Sequence, residues 1–295
     1  MNTPLKPKVG IGLPVYNGER FLKNALDSIL AQTFTDFELI IVDNASTDGT
    51  EGICREYAER DSRIRYYRNG ENIGLVGNFR RAFELSRGDY FRWACADDMC
   101  KPTLLAECAD VLNHAPSVVL VYAKAEFIDE NGHRLDIDDP GWDLRSECPH
   151  ERIRYVIDSN HWVNSLYGLM RASALRRTGL IADYHGGDHT LLCELSLLGK
   201  FQEIPLYLFQ RRIHSRASIH HKNDAIFFSG REGYACIPFV KRYRDFAVSI
   251  LRSSLKMSQK LSLLAHLSRR IYWNRQVLME ELKFVSKVFL ARKQS

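Results

Sequence analysis

No run of 18 or more apolar residues occurs in this sequence, so nothing in it reads as a membrane-spanning helix. The first residues, MNTPLKPK, contain no apolar signal core. The seven cysteines include no CxxC pair, and no Cys/His pair at zinc spacing follows Cys95 and Cys100, which excludes a zinc site. An odd, scattered set of thiols points to reduced cysteines and a cytoplasmic setting. The GxGxxG of dinucleotide-binding domains is missing after the first apolar run. Gly10 and Gly12 lie inside that run, and Pro14 stands where the fingerprint needs a helix to begin.

What is present is an ordinary globular composition over 295 residues, 45% hydrophobic and 26% charged, enough for one sizeable core and an appendage. The net charge of +5 conceals an asymmetry. From Arg231 onward there are 14 Lys/Arg against 4 Asp/Glu, and the preceding residues carry 27 against 32. A basic tail on an acidic body suggests that the tail meets something anionic, or that it is simply a solvated helical face.

Along the chain, KVGIGL (8–13) is a short strand stopped by Pro14. Phe21, Leu22, Ala25, Leu26, Ile29 and Leu30 mark a helix face. ELIIVD (38–43) has the continuous apolar run of a parallel strand, and Asn44–Gly49 follows as loop and N-cap chemistry. A second helix passes through Ile53–Ala58, a third strand covers Ile64–Arg68, and a third helix covers Asn78–Ser86. Strands alternating with helices predict an α/β fold, a mostly parallel Rossmann-like sheet with helices on both faces. Ligands in such sheets bind at the carboxyl ends of strands. Three polar loops fall there: Pro14–Asn17, Asp43–Asp48 and Asp97–Asp98.

The last of these closes GDYFRWACADD (88–98), a buried strand ending on adjacent carboxylates. Paired acids at such a place are costly unless a cation sits between them. They read either as a divalent-metal site or as a solvated turn before Lys101–Pro102. Beyond it, Leu104–Val111 reads as a helix and Val118–Ala123 as a strand. Ala125–His161 is a weakly periodic, acidic insertion with Asp136, Asp138, Asp139 and Trp142, of the kind that forms functional loops. Ser165–Met170 reads as a strand, His185–Asp188 as a turn, Thr190–Leu198 as a helix, and Phe201–Ile204 and Leu206–Phe209 as short strands. Arg211, Arg212, His214, Arg216, His220 and His221 form a basic, His-rich exit. The chain after Asp224 is helical, interrupted at Pro238, and Gln259–Lys293 is an amphipathic stretch suited to packing or to a membrane surface.

Four pieces taken together, GLPVYNGERFLKNALDSILAQTF, FELIIVDNASTDGT, ENIGLVGNFRRAFELSRGDYFRWACADD and GLMRASALRRTGLIADYHGGDHTLLCELSLLGKF, resemble glycosyltransferase family two in order and spacing. These are inverting sugar transferases of the GT-A fold. The resemblance covers most of residues 8–215 and implies one transferase domain (1–224) with a basic helical extension (225–295). It implies a nucleotide pocket of Pro14, Val15, Tyr16, Asn17, Asp43, Ser46 and Asp97, with Tyr16 stacking on a base and Asp43 accepting from a uracil or thymine N–H. It implies Mn2+ or Mg2+ at Asp97 and Asp98, with His214 completing the shell or Arg211 and Arg212 pairing with phosphate. Many relatives have a further acid where this chain has Cys95, which leaves open which of Asp97 and Asp98 ligates the metal.

Asp188 takes the position of the catalytic base, with Asp183 and His189 as weaker candidates and a helix cap as the structural alternative. The implied partners are a nucleotide diphosphate sugar, most simply of UDP or dTDP, and a sugar or lipid-linked acceptor. An anionic membrane surface or a second copy at the C-terminal helices is a further possibility; no nucleic acid is expected. Such enzymes commonly build bacterial surface polysaccharide or glycolipid at the inner face of the membrane. The rivals are a nucleotidyltransferase that makes sugar nucleotides, for which PVYNGERF is a poor loop, and a non-catalytic nucleotide-sugar-binding protein.

Overall fold

A computed structural model of the chain describes residues 6–137, 139–159, 163–215, 225–230 and 237–292. The elements run β1 (Val9–Val15), α1 (Glu19–Leu30), β2 (Phe37–Asp43), α2 (Thr50–Arg60), β3 (Ile64–Arg68), α3 (Gly74–Glu84), β4 (Tyr90–Trp93) and β5 (Met99–Cys100). They continue with α4 (Leu104–His114), β6 (Val118–Ile128), α5 (Pro149–Asp158), a 3-10 turn at Asn164–Tyr167, β7 (Leu169–Arg171), α6 (Ala172–Leu175), α7 (Gly187–Leu198) and β8 (Lys200–Arg212). The last helices are α8 (Ala225–Ser229), α9 (Pro238–Arg252), α10 (Met257–Trp273) and α11 (Arg275–Arg292). The strands form one sheet in the order β3-β2-β1-β4-β7-β6-β8-β5. Pairing is parallel for β1 with β2 and β4, for β2 with β3, and for β6 with β8; β7 runs antiparallel to β4 and β6, and β5 to β8.

The two-residue period of the strands divides the core between the two faces of the sheet. Val9, Ile11, Leu13, Tyr90 and Ala94 pack with Leu22 and Leu26 of α1 and Leu105 and Leu112 of α4. Phe91 and Trp93 pack on the other face with Phe79 and Phe83 of α3 and with Leu191 and Leu195 of α7. Gly10 and Gly12 also point to that second face. A Cβ on Gly12 would stand 2.7 Å from Phe91 Cζ and 2.9 Å from Ala82 Cβ. These glycines let α3 lie close on β1, which explains their place inside a strand.

Several boundaries differ from the sequence expectation. β1 continues through Pro14 to Val15. Gly12 O accepts from Ala94 N on the β4 side, while Val15 O accepts from Asn44 N on the β2 side. Pro14 therefore turns its missing donor to the side that β4 has already left, where no ladder bond is lost. The strand before the acid pair ends at Trp93, so Asp97 and Asp98 lie in the loop between β4 and β5. α3 begins at Gly74 rather than Asn78. The insertion is more regular than expected: β6 runs on to Ile128, and α5 buries Ile153, Val156 and Ile157. Half of the stretch at 165–170 is the 3-10 turn and only its end is strand, and the two short strands are one, β8, which carries Arg211 and Arg212 inside the sheet. The tail stretch breaks at Asn274 into α10 and α11. Asp138, Arg216, His220 and His221 lie outside the described residues.

Candidate functional site

The carboxyl edge of β1, β2 and β4 gathers the three expected loops. Asn17, at φ 51, donates its backbone N–H to Ser46 Oγ at 2.9 Å and accepts from Thr47 N through Oδ1 at 2.8 Å. Gly18 N donates to Thr50 Oγ1 at 2.9 Å. The Asp43 carboxylate is fully buried; it accepts from Ser46 N at 2.8 Å and from the Tyr66 hydroxyl at 2.9 Å, with Arg68 Nη1 3.8 Å away. Both oxygens keep further lone pairs for a ligand donor. Val15 is buried within β1, whereas the Tyr16 ring is 48% exposed at the mouth of this edge. Ala45 is held at φ 62, a left-handed conformation that costs free energy for a residue with a Cβ.

An asparagine cluster, unread in the sequence, locks these loops: Asn44, Asn69 and Asn78 are buried, and Asn72 joins them from the surface. Asn44 Nδ2 donates to Asn72 Oδ1 at 2.7 Å, and Asn69 Nδ2 reaches both Asn44 Oδ1 at 2.8 Å and Asn78 Oδ1 at 3.0 Å. Asn78 Nδ2 donates to Val42 O at 2.8 Å. Two of the residues, Asn72 and Asn78, stood in the ENIGLVGNF piece, but only their convergence in space shows what they hold together.

The acid loop lies beside the start of α1. A Cβ on Gly18 would stand 3.3 Å from Ala96 Cβ, and the Phe21 ring lies 5.2 Å from the His214 ring and beneath the Arg212 guanidinium at 4.6 Å. Asp97 Oδ2 lies 2.8 Å from His214 Nε2, and Asp98 Oδ1 accepts from Arg212 N at 2.8 Å. Ligand atoms of Cys95, Asp97 and Asp98 all lie within 4.8 Å of one another. Burial, and then the charge of Asp97, push the Asp98 carboxyl up to about 7 against the opposing charge of Arg211. Burial and the two acids likewise hold the Cys95 thiol well above its usual value, so it stays protonated. The donor set is thus two hard carboxylates with an imidazole and a neutral thiol nearby. It suits magnesium or manganese and leaves the thiol outside the shell. Arg211 Nη1 also donates to Asn164 Oδ1 at 2.5 Å, whose amide in turn donates to Asp139 Oδ2 at 2.6 Å, so part of the acidic insertion is tied to this edge.

Asp188 lies in the first turn of α7, with Gly186 as N-cap, rather than in a turn ahead of the helix. Its Oδ1 accepts from its neighbour's backbone, His189 N, at 2.9 Å and faces His189 Nδ1 at 3.1 Å. Burial pushes this carboxyl up, but the His189 contacts and the charge of Arg242 outweigh it and hold it down at about 2. Among the described contacts none joins Asp188 to Asp97 or Asp98. Its surroundings are Trp142, whose ring lies 5.6 Å from that of His189, and helix α9. Lys241 Nζ stands 3.9 Å from Asp183, the Tyr184 hydroxyl donates to Asp245 Oδ2 at 2.9 Å, and Arg242 covers Gly186. His189 Nε2 and Arg242 Nε are buried with no hydrogen-bond partner among the described residues. The part played by α9 was not foreseen, because its residues fall beyond the stretch that the family pieces cover.

The family model described as Glycosyl transferase family 2 matches residues 11–179, more than half of the chain. An uncharacterized glycosyltransferase of Rickettsia typhi is 35% identical over 130 residues, 44% of this chain and 40% of that protein. The chondroitin synthase of Escherichia coli is 26% identical over 223 residues, 74% of this chain and 31% of its own length. The chain thus spans well under half the length of these curated relatives. Among solved structures, S. aureus TarS in complex with UDP-GlcNAc superposes with a TM-score of 0.69 at 18% identity, over 90% of this chain and 72% of that one. The mannosyltransferase PcManGT of Pyrobaculum calidifontis, in complex with GDP-Man and Mn2+, gives 0.55 at 18% identity, over 96% and 86%. At that identity the likeness speaks to the fold, which is GT-A with a C-terminal helical region.

Proposed function

The chain belongs to glycosyl transferase family 2, and from that premise we propose that it moves a sugar from a nucleotide diphosphate donor to an acceptor hydroxyl with inversion at the anomeric carbon. The observation that carries the reading is the meeting at one sheet edge of Asn17, Asp43 with Ser46, and the acid loop of Asp97 and Asp98. UDP or dTDP is the nucleotide this pocket favours. The exposed Tyr16 ring stacks on the base, Asp43 accepts from the pyrimidine N–H, and Pro14 and Val15 shape the pocket floor. Asp97, Asp98 and His214 would hold a divalent cation, Mn2+ or Mg2+. Such a cation, when bound, supplies positive charge that binds the diphosphate and neutralises it as it leaves. Arg211 and Arg212 add to that charge.

Asp188 removes the acceptor hydroxyl proton as the oxygen attacks from the face opposite the leaving group. Held down at about 2, it stays ionised through the neutral range, the charge state a base needs. The unpartnered His189 Nε2 and Arg242 Nε beside it support an acceptor rich in hydrogen-bonding groups. The described part of the insertion, with Trp142 beside His189, would form the other acceptor wall. Residues 1–224 act as the transfer domain and 225–295 as its helical extension. A cytoplasmic site of action fits the described cysteines, all of them free thiols, and a role in polysaccharide or glycolipid assembly fits the name of the E. coli relative.

Two measurements test this. Asp188→Asn lowers transfer at least about a hundredfold while leaving UDP affinity within about twofold; unchanged turnover removes Asp188 as the base. The pair Asp97→Ala and Asp98→Ala loses the Mn2+-dependent part of UDP binding in calorimetry, and an intact Mn2+ dependence removes the metal from this loop.

A further inference from the structure

We propose that the outward face of α10, continued into the start of α11, is a docking surface for a bilayer of anionic lipids. Among the described residues, thirteen large hydrophobic side chains stand exposed, and nine of them fall between Leu251 and Leu282. The rest of the described surface shows no such concentration, so the enrichment belongs to this segment.

Helix α10 has two stripes. Leu263, His266 and Leu267 are buried where the helix lies against α5 and α9. Met257, Leu261, Ala265 and Tyr272, spaced by four, four and seven residues, share the opposite side and are all exposed. A helix with one packed stripe has no need of a second apolar one. Tyr272 and Trp273 are each 62% exposed where α10 gives way to α11. Arg275 lies over the Tyr272 ring at 4.4 Å and Arg270 over Trp273 at 5.8 Å. Exposed Lys256, Arg269 and Arg275 border the stripe. Of the two acids in α11, Glu281 accepts from Phe239 N and Val240 N at the start of α9, which leaves Glu280 as the exposed acid.

The charge selects the occupant. In a twofold dimer through this face, each patch meets its own copy, so cations oppose cations. An anionic bilayer satisfies both halves of the surface. The apolar and aromatic side chains enter the boundary between headgroups and acyl chains, and the Lys and Arg stems reach the headgroup phosphates. No described helix is long and apolar enough to cross a membrane, and this mode of attachment requires none.

The test is co-sedimentation with vesicles of phosphatidylcholine alone and with about 30 mol% phosphatidylglycerol. The wild-type chain binds the anionic vesicles at least about tenfold more tightly, and salt near 0.5 M removes most of the difference. The double substitution Tyr272→Ser and Trp273→Ser touches exposed side chains only; it keeps the thermal midpoint and lowers vesicle affinity at least about tenfold. Lys256→Glu with Arg269→Glu abolishes the preference for anionic lipid. Equal binding to both vesicles, no binding at low salt, or variants that bind like the wild type would overturn the proposal. So would a wild-type dimer that the aromatic substitutions dissolve while vesicles go unbound, which would assign the face to a second copy. None of these readouts uses donor binding or transfer, so failure here leaves the sugar-transfer reading standing, and the reverse.

Discussion

Asp98 and Asp188 are both buried carboxylates, and their neighbours drive them in opposite directions. Around Asp98, burial and the adjacent Asp97 win over Arg211, and the group rises to about 7. Around Asp188, His189 and Arg242 win over burial, and the group falls from 3.8 to about 2. A depressed carboxyl stabilises the fold fully above its unfolded value and loses that contribution as pH falls through its folded value. Asp188→Asn therefore costs about 2 kcal/mol near neutral pH, and the cost shrinks between the ordinary carboxylate value and about 2. Urea unfolding of both proteins across that range checks it; a cost independent of pH would show that the charge of Asp188 contributes nothing to stability. Asp188 was singled out through the family resemblance, as an acid expected just ahead of a helix; the structure puts it inside the first turn of α7. Arg242 was not singled out, because a sequence reveals a charge partner only when the two are close along the chain.

One helix, α9, holds the loop that carries Asp188. It meets Asp183 through Lys241, Tyr184 through Asp245, Gly186 through Arg242 and Glu194 through Ser249. Gly186 sits at φ +80, and a Cβ there would stand 2.1 Å from Arg242 Nη2. Gly186→Ala thus meets both backbone strain and a clash, and a loss of about 1–3 kcal/mol is expected in urea unfolding. The Tyr184 hydroxyl bridges α9 and α7, lying 2.7 Å from Thr190 Oγ1 and 2.9 Å from Asp245 Oδ2. Tyr184→Phe leaves both partners short of a bond and costs about 1–3 kcal/mol. Transfer falls with it while UDP affinity holds; an equal loss of both would show that α9 supports the whole fold and not this loop. Element identity was mostly readable where periodicity was clean, as in α1 and β2. It failed where polar residues interrupt a strand, as Lys124 and Glu126 do in β6, or where a proline does, as Pro205 in β8. It also failed for α5, whose Ile153, Val156 and Ile157 keep helical spacing inside an acidic stretch.

At the scale of the molecule, alternation of strands and helices foretold a mostly parallel sheet and the edge where the loops of Asn17, Asp43 and Asp97 gather. It did not foretell β7 inserted antiparallel between β4 and β6, since that pairing joins residues far apart in the chain. Nor did it foretell how firmly the basic extension is bound to the body. Phe246 and Ile250 of α9 and Leu263 and Leu267 of α10 are at most 2% exposed and share a cluster with Ile153, Leu191 and Leu195. Burying four such side chains contributes roughly 6–12 kcal/mol, comparable to the whole stability of a typical domain at about 5–15 kcal/mol. Without the extension the same cluster opens to water on the body's side. The full chain is therefore expected to unfold in one cooperative transition, with far-ultraviolet dichroism and tryptophan fluorescence coincident, since Trp93 and Trp142 lie in that shared core. A fragment ending at residue 224 is expected to lose that transition and the near-ultraviolet signal of packed aromatics. A fragment that melts cooperatively near the full-length midpoint would show the extension to be an appendage, and would separate the anchoring of the Asp188 loop from the stability of the sheet.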